Sequence, residues 1–128
     1  MESDENRYAK FALWLDSVLE NELPRETAAI NFNLYDDGNC HWSMELICAA
    51  SFDRENDDWA CDELLSTRES PFSWQEDCTF ESAQDFAEAL VRRYISEGKK
   101  KDVLLQWSAV GVGFVDGDIS LVYEKHRS

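Results

Sequence analysis

Apolar residues recur with helical spacing near the start of the chain and again in its second half. In residues 7–22 and 81–97 they fall at intervals of three and four, on one face of a 3.6-residue helix. Pro24 ends the first pattern, Gly98 follows the second, and Thr79 is a suitable N-cap for the second helix. The pattern therefore predicts two amphipathic helices.

Strict alternation of apolar and polar residues replaces this spacing in other segments, as is typical of half-buried strands. Residues 28–35 and 40–50 flank the polar sequence Asp36-Asp37-Gly38-Asn39, in which Asp and Gly tolerate the backbone angles of a tight turn. They predict a β-hairpin. Residues 110–114 and 119–123 show the same alternation around a second Asp-Gly turn and predict a second hairpin.

Together these elements indicate a single α+β domain over residues 1–128. Residues 59–65 and 71–75 contain shorter apolar runs that can add strands to the two hairpins. We expect an antiparallel sheet of four to six strands, with the two main helices packed on one face and the other face partly in water. Residues 53–80 are acidic, and we expect them to be partly irregular.

The charge balance narrows the choice of partner. The chain has 12 basic and 27 acidic residues, a formal net charge of −15. Nucleic acids and anionic membranes attract the opposite sign of charge, so we expect neither as a partner. Residues 53–88 alone carry twelve acids and two arginines. This distribution favours a basic protein partner.

Aromatic residues lie among these acids, and rings within a charged rim are typical of interface hot spots. We predict that the partner is contacted by Asp53, Glu55, Asp57, Asp58, Trp59, Asp62, Glu63, Trp74, Glu76 and Asp77. Packing in the core is the alternative role for the two tryptophans. A solubilising loop is the alternative role for the acids.

Motifs for catalysis or metal binding are incomplete. Residues 53–64 match the first ligand positions of an EF-hand loop, but Asp58 stands where glycine is required and Leu64 where a bidentate Glu is required. Gly111-Val112-Gly113 lacks the third glycine and the following helix of a dinucleotide site. Cys40 and His41 are neighbours on a predicted strand, so their side chains point to opposite faces. We expect no catalytic residue, no metal site and no cofactor, and hence a protein that is not an enzyme.

The cysteines indicate a reducing compartment. No Cys-x-x-Cys pair occurs, and Cys40 and Cys48 on one strand would lie about 27 Å apart, too far for a disulfide. A link between Cys61 and Cys78 remains an alternative. The first residues are acidic and polar, unlike a secretory signal, and no run of about 18 apolar residues occurs. We therefore expect a cytoplasmic protein.

In size, acidity and α+β order the chain resembles small immunity proteins of bacterial polymorphic-toxin and contact-dependent inhibition systems. Residues 109–118, AVGVGFVDGD, have the character of a family signature. The resemblance implies a protein that binds a cognate toxin domain, often a basic nuclease, and blocks its active site with carboxylates in place of phosphates. It assigns no role to an individual residue.

Two other classes of function remain open at this point. A small enzyme that uses carboxylates on a cationic or metal-bound substrate would show a concave pocket with shifted carboxyl pKa values. A homodimeric structural domain would bury the exposed sheet face against a second copy.

Overall fold

The computed structural model describes residues 3–125. The helices are α1 (Asp4–Leu19), α2 (Phe80–Glu97) and α3 (Lys101–Leu105), and a 3₁₀ helix covers Asp57–Cys61. The strands are β1 (Ala29–Gly38), β2 (His41–Ala49), β3 (Glu63–Ser66), β4 (Phe72–Gln75), β5 (Ala109–Phe114) and β6 (Ser120–Glu124). The predicted α+β class, both main helices and both hairpins are confirmed.

All six strands belong to one sheet, and five of them follow the order β3-β2-β1-β5-β6. The sixth strand, β4, also pairs directly with β2, at the His41 end, whereas β3 pairs with the Ala49 end. The sheet is mostly antiparallel, as predicted, and the exception is the pair of β1 and β5, which run parallel. A parallel pair needs a long crossover connection, and here that connection contains α2. The other strand pairs are antiparallel, as expected.

Several boundaries differ from the predicted ones for local reasons. The hydroxyl of Ser3 accepts a hydrogen bond from the backbone N–H of Asn6 and caps α1, so the helix begins earlier than predicted. The helix ends at Leu19, well before Pro24. The tight turn of the first hairpin falls at Asn39 and Cys40, whose φ angles are 52° and 64°. Two consecutive residues in the left-handed region match the twist of the flanking strands. The turn therefore lies at the end of the predicted polar sequence.

The acidic region 53–80 is partly irregular, as predicted. It contains the 3₁₀ helix and the short strands β3 and β4 between stretches of loop. The prediction that a strand starts at Trp59 is wrong, because Trp59 lies in the 3₁₀ helix and β3 starts only at Glu63.

Both main helices pack on the same face of the sheet, as predicted. Phe11 of α1 is fully buried there, with its ring centroid 6.3 Å from Phe32 of β1, 5.4 Å from Phe72 of β4 and 6.3 Å from Tyr94 of α2. The Tyr94 hydroxyl donates to Asp16 Oδ1 at 2.5 Å, which ties α2 to α1. One aromatic cluster thus holds both helices against the strands.

The opposite face of the sheet is covered more than expected, since every residue of β2 from Trp42 to Ala49 is buried. At one end of this face Trp59 packs with Ile47 in a second, smaller core. The same face also buries polar residues, which include Asn31 and Glu45, each 1% exposed. The expectation of a wet face is therefore wrong for the centre of the sheet.

A charged network stabilises this polar part. The buried Glu45 carboxylate accepts a hydrogen bond from the Tyr35 hydroxyl and lies 3.0 Å from Arg68 Nη2. Arg68 also pairs with Glu63 at 2.7 Å. Burial and the adjacent Glu45 raise the pKa of Tyr35, so the phenol stays protonated and remains a donor.

We expect Tyr35→Phe to lower the free energy of unfolding by about 1.5–3 kcal/mol, because a buried carboxylate loses a charge-assisted hydrogen bond. Urea unfolding followed by circular dichroism measures this loss. Tyr8→Phe is the matched control, since the Tyr8 ring packs under Arg93 and its hydroxyl makes no hydrogen bond within the described residues. Equal losses in the two variants would contradict a special role for the bond to Glu45.

All four cysteines are free thiols, so the alternative Cys61–Cys78 link is not formed. Cys61 ends the 3₁₀ helix near Ala49, whereas Cys78 follows β4 near His41, at the other end of β2. Among residues 3–125, no helix combines the length and the apolar character needed to cross a membrane.

Candidate functional site

We call residues 53–63 the acidic segment. Trp59 holds it on the sheet: the indole is only 4% exposed and its centroid lies 5.3 Å from that of Phe52. The structure therefore places Trp59 in a core, the alternative role that the sequence left open, and its contact with a partner stays a prediction. Burial of a large apolar ring against Ile47 outweighs its polar sequence surroundings.

Side-chain hydrogen bonds fix the backbone of the acidic segment. Asp53 Oδ1 accepts from the N–H of Glu55 at 2.9 Å, and Asn56 Oδ1 accepts from the N–H of Asp58 at 3.0 Å. Asp57 Oδ2 accepts from the N–H of Ile119 at 2.9 Å, which ties the segment to the loop between β5 and β6. The segment thus has a defined conformation, although it contains little regular structure.

Most carboxylates of the acidic segment are exposed and unneutralised. Asp53, Glu55, Asp58 and Asp62 are exposed and form no ion pair within residues 3–125. The one basic residue of the segment, Arg54, pairs instead with Glu124 of β6 at 2.5 Å. The predicted acids at 53–63 therefore share one surface with a strong negative potential.

The remaining predicted contacts lie elsewhere. Trp74 of β4 faces Trp42 across the strand pair and is 6% exposed, with its ring 5.5 Å from that of Phe86. It is a core residue, which is the alternative role that the sequence left open for Trp74 as for Trp59, and its contact with a partner stays a prediction. Glu76 is half-buried and accepts a hydrogen bond from Arg7 Nη1 at 2.9 Å.

The predicted contact set is therefore divided. Glu76 and Asp77 follow β4, which pairs with the His41 end of β2, while the acidic segment lies at the Ala49 end. The two ends of β2 are about 27 Å apart at about 3.4 Å per residue. A single patch containing all ten predicted residues does not exist.

A second acidic surface surrounds an open pocket of 450 Å³ at the His41 end. We call it the aromatic pocket, and its lining includes Asp36, Cys40, Trp42, Cys78, Phe80 and Glu81. The rings of Trp42, Phe80 and Phe114 meet edge to face, with centroids 5.4–6.0 Å apart. The Trp42 indole N–H donates to the backbone oxygen of Glu76 at 2.8 Å, so the ring is fixed in place.

Of these three aromatic side chains, Phe80 is the most exposed: it is 57% exposed, whereas Trp42 is 4% exposed. Phe80 is the first residue of α2, directly after the capping Thr79, whose hydroxyl accepts from the N–H of Ser82 at 3.1 Å. Phe80 is not among the residues predicted to contact a partner. Its position next to a strong N-cap, where a helix projects from the core, was the available signal.

The two thiols of the aromatic pocket are poor nucleophiles. Partial desolvation and the nearby carboxylates of Asp77 and Asp36 raise the pKa of Cys40. Desolvation and the nearby carboxylates of Glu76 and Asp77 likewise raise the pKa of Cys78. Thiolate chemistry needs the opposite shift, so the pKa of neither thiol favours nucleophilic chemistry. In the part of the chain that the structure describes, no three His, Cys, Asp or Glu side chains are placed to hold a metal ion.

Two acidic surfaces thus lie at opposite ends of β2, one fixed by Trp59 and the other built around Phe80. Both present carboxylates and few basic groups, which is a geometry for contact with a cationic partner. No family model matches this chain, and neither a curated protein nor a solved structure matches it.

Proposed function

We propose that this chain is a non-enzymatic binding protein of the bacterial cytoplasm that neutralises a basic cognate toxin domain, in the manner of an immunity protein. The observation that carries the proposal is the acidic segment, in which Asp53, Glu55, Asp58 and Asp62 are exposed and form no ion pair within residues 3–125, although the backbone that holds them is fixed. A toxin that acts on nucleic acid needs a basic cleft, and such a cleft is complementary to this segment.

Charge complementarity supports the proposal through the rate of association. A surface with unneutralised charge steers an oppositely charged partner, and association rates then reach about 10⁸–10⁹ M⁻¹s⁻¹ at low salt. An inhibitor that must capture its toxin before the toxin damages the cell benefits from this speed. The net charge of −15 extends the attraction beyond the contact surface.

The fixed conformation of the acidic segment supports the proposal through affinity. Loops that become ordered on binding lose conformational entropy, and this loss weakens the complex. Here Trp59 and the bond from Ile119 to Asp57 already order the segment before a partner arrives. The backbone that carries the carboxylates is therefore ordered before binding.

The test uses the product of the neighbouring gene as the partner. We expect the triple variant Asp53→Asn, Asp58→Asn, Asp62→Asn to reduce the association rate about tenfold at low salt, because it removes charge that forms no ion pair within residues 3–125. An asparagine at position 53 can still accept the hydrogen bond from the N–H of Glu55. Stopped-flow measurements between about 0.05 and 0.5 M salt should show a steep salt dependence for the native protein and a shallower one for the variant.

The control removes the same amount of charge from the helix-covered side. Glu20→Gln, Asp85→Asn and Asp102→Asn change three exposed acids that follow α1 or lie on α2 and α3. This triple variant should retain the native association rate within about twofold. If both triple variants slow association equally, net charge acts without a specific surface, and the assignment of the acidic segment fails.

A further inference from the structure

We propose that the aromatic pocket receives the side chain of an arginine from a protein partner. This inference rests on the proposed function for the basic character of that partner, and it adds a second contact far from the acidic segment. Within residues 3–125, Phe80 is the one aromatic residue among the exposed large hydrophobic side chains. It leaves an apolar surface beside the opening of the pocket.

The size of the pocket suits one long side chain. Its volume of 450 Å³ falls within the range of about 300–1,000 Å³ that ligand sites in proteins occupy. Trp42 and Phe114 support Phe80 from behind, so the ring is held in place without being covered. An aliphatic stem can lie along this ring while its charged end reaches the rim.

The charge of the pocket selects a cation. Asp36 and Glu81 line it, Asp77 lies beside Cys40, and no Lys or Arg is part of the lining. The positive end of α2 also points here, but the Thr79 hydroxyl satisfies the N–H of Ser82 and Glu81 stands in the first turn. The carboxylates therefore determine the sign of the site.

A guanidinium fits this combination better than an ammonium. It is planar and weakly hydrated, it stacks on aromatic rings, and its fork of donors can bind a carboxylate through two hydrogen bonds. Phe80 supplies the ring, and Asp36 and Glu81 supply the carboxylates. A lysine would lose the stacking contribution and the two-point contact.

The experiment titrates the ¹⁵N-labelled protein with a capped tri-arginine peptide and follows amide chemical shifts. We expect shifts centred on residues 36–42 and 78–81, with binding at least about fivefold weaker for a tri-lysine peptide. A tri-citrulline peptide, which keeps the shape and removes the charge, should not bind. Equal binding of lysine and arginine peptides, or shifts centred on residues 53–63, would overturn the proposal.

Two variants locate the site. Phe80→Ala and Asp36→Asn should each weaken tri-arginine binding about threefold to tenfold, because each removes one of the two elements that the guanidinium contacts. Phe80 is exposed, so its removal should leave the fold intact, and circular dichroism checks this. The triple variant Asp53→Asn, Asp58→Asn, Asp62→Asn should bind the peptide as the native protein does.

This design separates the two proposals. The peptide titration needs no toxin, so a failure there removes the aromatic pocket as a site and leaves the acidic segment untouched. A failure of the salt-dependent association removes the proposed function, while peptide binding would still establish a pocket for arginine. Unchanged peptide binding in both Phe80→Ala and Asp36→Asn would overturn the pocket assignment itself.

Discussion

Replacing Phe11 with alanine is expected to lower the free energy of unfolding by about 3–5 kcal/mol. Phe11 is fully buried at the centre of the helix-covered face, and its ring contacts those of Trp14, Phe32, Phe72 and Tyr94. Removing it leaves a cavity where α1, α2 and the sheet meet. Because domains of this size are stable by only about 5–15 kcal/mol, the variant should lose a large part of its stability.

Urea unfolding measured by circular dichroism tests this result, with Leu13→Ala as the control. Leu13 lies on the same helix but is 71% exposed, so its replacement should change stability by less than about 0.5 kcal/mol. A Phe11→Ala protein as stable as the Leu13→Ala protein would mean that α1 does not contribute to the core.

Replacing Trp59 with alanine is expected to cost a similar amount, about 3–5 kcal/mol, because the indole fills the second core between the acidic segment and the sheet. The variant should also release the acidic segment locally. Amide hydrogen exchange in residues 53–63 should accelerate more than exchange in β1 and β2, since the segment depends on this ring for its position.

Phe80→Ala is the control for loss of an aromatic ring from the surface. With Phe80 57% exposed, we expect a loss of stability below about 1 kcal/mol. If Trp59→Ala leaves both stability and exchange unchanged, the indole does not anchor the acidic segment. It would then return to the set of residues free to contact a partner.

The helices and hairpins could be predicted from the sequence because their signals are local. The three-and-four spacing in α1 and α2 and the alternation in β1, β2, β5 and β6 each depend on residues close together in the chain. The parallel pairing of β1 with β5 depends on contacts between distant segments, for which local periodicity contains no information. The same limitation applies to β3 and β4, which are short and lie among charged residues.

The candidate surfaces were predicted less well, and Trp59 shows why. Its neighbours in sequence include Asp57 and Asp58, so the local pattern indicates a solvated segment. Its burial depends on Ile47 and Ala109, which belong to distant strands. The acids themselves could be predicted as exposed because charged groups without partners stay in water. Their division between two surfaces could not, because it depends on which ends of β2 the short strands join.

The exposure of Phe80 in the aromatic pocket could not be predicted from the sequence pattern either. Phe80 continues the apolar spacing of α2, yet it lies where the helix begins and is 57% exposed. Periodicity identifies the face of a helix but not the point along its axis where the core ends. Exposed rings at helix starts are consequently missed when a sequence is interpreted by its pattern alone.

The parallel pair at the centre of the sheet has a consequence for how the protein is made. Until residues 109–114 have been synthesised, a hairpin of β1 and β2 lacks the strand that pairs with β1. Its β1 edge then offers unpaired N–H and C=O groups to other nascent chains. Contacts between such distant segments also form slowly. The late arrival of β5 therefore leaves the β1 edge open to aggregation until residues 109–114 have been made.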